Sequence, residues 1–154
     1  MLRGARVCDV YLCANIFVRD LDLADPNYAA CHELLAELVA SGTPIYVPTL
    51  LVVEVAATIS RTRRDPLYAL AVSLGLRELP NLTLLPLDST LAQQSAELAA
   101  DFRLRGADAV YIAVAQQTGT ALVTLDAELR TRAASRITTY TPEEALVALR
   151  RTSS

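Results

Sequence analysis

Along the chain, short apolar runs alternate with longer stretches that repeat at a helical period. Residues 6–13, RVCDVYLC, have the composition of a short strand, and VYLCANIFV continues it into a helix. PNYAACHELLAELVAS (26–41) reads as an amphipathic helix with Pro26 at its start and Gly42 at its end. IYV (45–47) is a brief buried strand, and Pro48 opens the helical run TLLVVEVAATISRTRR. A second helix spans 66–78, followed by a strand at LTLLPL (82–87). Asp88 or Ser89 caps a helix to about Leu104, Gly106 breaks it, and ADAVYIAVAQQT forms another that ends before Gly119. ALVT (121–124) is a buried strand, a short helix starts at Asp126, and ITTY (137–140) is the last strand. Thr141, Pro142 and Glu144 form a capping box with proline at the first helical position.

Apolar strands separated by helices predict a parallel sheet covered on both faces, a three-layer α/β/α sandwich. Ligands of such sheets bind at the carboxyl ends of the strands. With 154 residues, no repeats and no change in composition, one domain over residues 1–150 is expected, with 151–154 as a fraying tail.

Charge and composition narrow the chemistry. The net charge is −3, and all fourteen basic residues are arginine. Without lysine there is no Walker-type phosphate loop, no Schiff-base catalysis and no phosphotransfer receiver site of the usual kind. The acidic balance predicts that any nucleic-acid contact comes from local clusters such as Arg61, Arg63 and Arg64. Three cysteines (Cys8, Cys13, Cys31) without CxxC spacing argue against disulfides and zinc. No apolar run is long enough for a membrane span and the N-terminus does not read as a signal peptide, so a cytoplasmic protein is expected. The single histidine, His32, sits in an amphipathic helix, where its neighbour Cys31 points to a different face, which disfavours a nucleophilic triad.

Three acids occupy positions that their surroundings do not explain. Glu54 lies in the apolar helix LLVVEVAA, Asp108 opens DAVYIAVA, and Asp126 follows the strand ALVT. Singly, Asp108 and Asp126 read equally well as helix caps, and Glu54 as a partly exposed or arginine-paired residue. Together at one rim they would repel one another unless a divalent cation neutralised them, and hard oxygen donors suit Mg²⁺ or Mn²⁺.

These stretches resemble the PIN-domain family, most closely its VapC-like toxins. VYLCANIFV is similar to the first family motif, VPTLLVVEVAATISR to the second, and GADAVYIAVAQQTGTALVTLDAEL to the third and fourth together; the resemblance spans about residues 8–140. It implies a Mg²⁺- or Mn²⁺-dependent endoribonuclease with Glu54, Asp108 and Asp126 as catalytic and metal-binding acids. Asn15 and Thr124 would be supporting residues. RNA would be the substrate, and a homodimer and a small antitoxin the implied partners.

The sequence departs from the family at the first acid, whose place falls on Cys13. The competing register puts Asp9 there, but Val10 and Tyr11 then follow where a small residue and Asn15-like amide are expected. From Asp9 to Cys13 is about 13 Å of strand, so one cannot replace the other at a single metal site. A thiol among carboxylates stays protonated and is a poor ligand for Mg²⁺. The alternative function is therefore a PIN scaffold with a weakened metal site that binds RNA or protein.

Overall fold

The computed structural model describes residues 10–152, so the alternative first acid, Asp9, and Cys8 lie outside the described residues. In chain order the elements are β1 (Val10–Leu12), α1 (Ala14–Arg19), α2 (Tyr28–Ser41), β2 (Ile45–Pro48), α3 (Leu50–Arg63) and α4 (Pro66–Gly75). A 3₁₀ turn (Leu76–Glu78) leads to β3 (Leu82–Leu85), α5 (Ser89–Phe102) and α6 (Gly106–Thr118). β4 (Ala121–Val123), α7 (Ala127–Ala133), β5 (Thr139–Tyr140) and α8 (Pro142–Thr152) complete the fold.

The strands form one parallel sheet in the order β3-β2-β1-β4-β5. The chain therefore builds outward from β1 in one direction, then crosses back to lay β4 on the other side of β1. Right-handed crossovers place α1–α4 on one face and α5–α7 on the opposite face. The packing agrees: α3 lies against α1 and α4, and α5 against α6. The gap between β1 and β4 is where strand order reverses, and in open α/β sheets this is where a crevice forms at the carboxyl edge.

Local chemistry sets the element ends. Asp65 and Asp88 accept from the amides of Tyr68 and Leu91 and so cap α4 and α5. Thr141 and Glu144 exchange side-chain and backbone bonds at 2.8 and 3.2 Å, the expected capping box. α2 starts two residues later than Pro26 because the Asp25 carboxylate accepts from the Asn27 amide and holds a turn there. Gly106 begins α6 rather than merely separating two helices. α8 runs to Thr152, so the expected tail is helical as far as the described residues go.

β1 is fully buried, and α6 is buried from Ala109 through Ala115. These two elements form the centre of the core, and both end or begin at the carboxyl edge of the sheet. No helix among the described residues is long and apolar enough to cross a membrane.

Candidate active site

A cavity of about 330 Å³ opens at the carboxyl edge, at the β1/β4 crossover. Its walls include Cys13, Asn15, Glu54, Asp108, Thr124 and Asp126, so all six candidates from the four motifs meet there. They arrive from different elements. Cys13 and Asn15 come from the β1–α1 junction, Glu54 from the second turn of α3, Asp108 from the first turn of α6, and Thr124 and Asp126 from the end of β4.

Hydrogen bonds brace this edge. Asn15 Nδ2 donates to Thr124 Oγ1 at 3.1 Å, and Asn15 Oδ1 accepts from the Leu125 amide at 3.4 Å. Thr124 Oγ1 also accepts from the Asp126 amide at 3.1 Å, and Asp126 Oδ1 accepts from the Leu129 amide at 3.0 Å. Asp126 thus caps α7 while it lines the cavity, so the capping and site readings are both satisfied. Asp108 caps nothing; the N-cap of α6 is Arg105. Glu54 is bound through Oε2 to the hydroxyl of Tyr111, which donates at 2.6 Å.

The electrostatics are those of negative charge that is only partly offset. Burial, then repulsion from Asp126, raises the Asp108 carboxyl, against a partial offset from Arg105. Burial also raises Glu54, the Tyr111 hydroxyl opposes this, and Asp108 adds to it. None of the three acids makes an ion pair among the described residues. Cys13 is 4 % exposed, and burial above all drives its thiol far above the usual range, with Asp108, Glu54 and Asp126 pushing the same way. It is a neutral, buried sulfhydryl at neutral pH.

Three carboxylates of this kind fit a hard divalent cation in donor type, because a cation would relieve both the burial and the repulsion. Cys13 does not fit. Nor are the donors drawn together: among the described residues no group of three or more His, Cys, Asp or Glu side chains stands close enough to hold an ion as placed. An ion of this kind would be held directly by one or two of the carboxylates, with water completing its shell.

Other expectations resolve differently. Arg61 and Arg63 fall in the last turn of α3 and Arg64 caps it in a left-handed conformation, but none of them lines the cavity. Arg63 donates to the Leu21 carbonyl at 2.8 Å and stacks on Tyr68. Asp20 and Asp22, which follow α1, do not line the cavity either: Asp20 pairs with His32 at 2.7 Å and Asp22 accepts from the Ala24 amide.

Sequence reasoning missed Thr58, Thr62, Arg19 and Tyr111, which also line the cavity. The two threonines follow Glu54 at i+4 and i+8, so the helical period that placed Glu54 also carried their positions. Tyr111 follows Asp108 at i+3 by the same rule. Behind the wall, Tyr11 packs edge-on against Tyr111 with 5.5 Å between ring centres, and its buried hydroxyl has no hydrogen-bond partner among the described residues.

The family model for the PIN domain matches residues 10–134. No curated protein matches the sequence. Among solved structures the chain is similar to PAE2754 from Pyrobaculum aerophilum, at TM-score 0.69 and 19% identity, covering 97% of this chain and 94% of that one. It is also similar to Mycobacterium tuberculosis VapC20, described as a Sarcin-Ricin loop cleaving toxin, at TM-score 0.66 and 15% identity over 84% and 96% of the two chains. VapBC2 from Rickettsia felis, bound to a DNA fragment from their promoter, matches at TM-score 0.64 and 14% identity over 86% and 97%. At these identities the likeness is one of fold.

Proposed function

The chain belongs to the PIN-domain family, and from that premise we propose that it is a divalent-metal-dependent endoribonuclease, the toxin of a toxin–antitoxin pair. The observation that carries this reading is the meeting of Glu54, Asp108 and Asp126, all without ion pairs among the described residues, around one cavity at the sheet's carboxyl edge. Glu54, Asp108 and Asp126 would hold the Mg²⁺ or Mn²⁺ ion. Such an ion supplies a Lewis acid for a phosphodiester and lowers the pKa of a bound water. VapC20, of like fold, is described as a toxin that cleaves the Sarcin-Ricin loop, which supports RNA as the substrate class. A small antitoxin and a second copy of the chain are the partners in this reading; VapBC complexes of like fold support the first.

The chain's own residues divide the work. Asn15 and Thr124 tie the two strand ends together and aim the Asp126 backbone. Tyr111 fixes one oxygen of Glu54 and leaves the other for the cavity. Cys13 contributes bulk without charge, so the negative field is weaker by one carboxylate than the family pattern provides. That observation favours a second reading, a PIN scaffold with diminished metal affinity that binds RNA or protein.

The test is cleavage of structured RNA in Mn²⁺, with Mn²⁺ binding measured by calorimetry. The nuclease reading expects cleavage that Asp108→Asn abolishes and chelation stops. Cleavage that survives both would refute it. RNA binding with neither cleavage nor measurable Mn²⁺ binding would establish the scaffold instead.

A further inference from the structure

Two arginines stand beside the site without a side-chain hydrogen bond or ion pair among the described residues. The turn between α5 and α6 carries Arg103 and Arg105 on either side of Leu104. Arg103 ends α5 in a left-handed conformation (φ 53°), and Arg105 is the N-cap of α6 without a side-chain capping bond. Both are exposed, and neither side chain makes a hydrogen bond or ion pair among the described residues. Arg132 from α7 behaves differently. It donates to the carbonyl of Arg103 and pairs with Glu128, which clamps the turn against α7.

These residues line a second cavity of about 150 Å³. Asp108, Asp126 and Leu129 are walls of both cavities, so the second continues the first past the carboxylates. The first amides of α6 have no intrahelical acceptor, and the helix start carries partial positive charge. An anionic chain reaching the acids of a protein of net charge −3 needs local cations, and planar guanidinium groups suit phosphate oxygens.

We propose that the Arg103–Arg105 turn is a phosphate subsite, seating an RNA backbone phosphate next to the position at the carboxylates. This rests on the ribonuclease reading for its ligand. Arg105 is not simply the counter-charge of Asp108: it lowers that carboxyl from a distance, without an ion-pair contact. The basic run Arg61, Arg63, Arg64 is not the subsite, because it lines neither cavity.

The test is equilibrium binding of a labelled single-stranded RNA in EDTA, over a range of salt. The double variant Arg103→Gly with Arg105→Gln removes both charges, and glycine suits the left-handed position. Its plot of log affinity against log salt should flatten by about 0.7, the value for one lost phosphate contact on a single strand. Arg61→Gln with Arg64→Gln should leave the slope unchanged, and calorimetric Mn²⁺ affinity should not fall in the first variant. RNA binding with an unchanged slope in Arg103→Gly/Arg105→Gln overturns the subsite while leaving the ribonuclease reading intact. Should the wild-type protein not bind RNA, that reading fails, and inorganic phosphate becomes the probe. Phosphate-dependent NMR shifts of the Gly106 and Ala107 amides that vanish in the double variant would still support an anion site; no such shifts would overturn it.

Discussion

β1 and β4 lie side by side, Leu12 level with Val123, and each passes its chain to a helix at the same edge of the sheet. The two junctions solve one problem with different chemistry. At the end of β4, Asp126 caps α7 through Oδ1 and keeps its second oxygen for the cavity. At the end of β1, Cys13 stands at the N-cap of α1 in the same extended conformation, yet its side chain caps nothing. The backbone frame is nevertheless kept. The Cys13 amide donates to the Val123 carbonyl at 3.1 Å, and Asn15 reaches across to Thr124 and Leu125. Geometry and charge at this edge are therefore separable: the neighbours hold the first position in place whether or not it carries a carboxylate.

The sharpest way to test that separation is Cys13→Asp. The frame predicts that the new carboxylate enters a position already aligned with the other three acids. Mn²⁺ affinity should rise by at least roughly tenfold, about 1.4 kcal/mol. Saturating Mn²⁺ should then raise the melting temperature of Cys13→Asp more than that of the wild type. Calorimetry and thermal melts with and without the ion measure both. Asp9→Ala should leave both unchanged; loss of binding in that variant, with no gain in Cys13→Asp, would move the first acid to Asp9.

The other junction can be dissected with two substitutions. Asp126→Ala removes the cap and should cost about 1 kcal/mol in urea unfolding, whereas Asp126→Asn keeps a capping oxygen and should cost a few tenths. Both should weaken Mn²⁺ binding equally, since both remove the anion. Equal destabilisation by Ala and Asn would mean that the Leu129 bond contributes nothing.

A smaller effect is expected at Glu54. Tyr111→Phe keeps the aromatic contact with Tyr11 and removes only the hydroxyl, and water can reach half-buried Glu54 to replace it. The cost should be about 0.5 kcal/mol, the low end for a hydrogen bond. Mn²⁺ affinity should fall, but by less than in Glu54→Gln. A loss as large as that of Glu54→Gln would make the phenol as important as the carboxylate it holds.

How much of this was legible in the sequence differs between the two junctions. Strand and helix order, the cap at Asp88 and the Thr141 box were readable because each rests on local chemistry. Asp126 could be placed because it stands two residues beyond the apolar run ALVT. Glu54 was conspicuous as a charge in an apolar helix, but its bond to Tyr111 joins residues 57 positions apart and leaves no periodic trace. The arginines show the same limit. Arg61, Arg63 and Arg64 drew attention by adjacency, while Arg103 and Arg105 gain their place beside Asp108 only through the α5–α6 turn and its clamp by Arg132.

The smallest expected effect is one of pH, and its sign follows from the missing partner charge. In the folded protein Asp108 titrates above its ordinary value of 3.8, through burial first and Asp126 second. A carboxyl raised on folding binds its proton more tightly in the native state than in the unfolded chain. Its contribution to stability is complete below about pH 3.8 and is lost as pH rises through the native value. Glu54 is raised as well and contributes in the same direction. Without metal, Asp108→Asn should therefore melt at the wild-type temperature in acid and slightly above it at neutral pH. With saturating Mn²⁺ the order at neutral pH should reverse, because the wild-type charge then has its counter-ion. Melting curves from pH 3.5 to 7.5, each with EDTA and with Mn²⁺, read both halves of this expectation. If Asp108→Asn is less stable than the wild type at neutral pH in EDTA, the carboxylate is stabilised by a partner such as Arg105, and the edge is less starved of positive charge than its two junctions indicate.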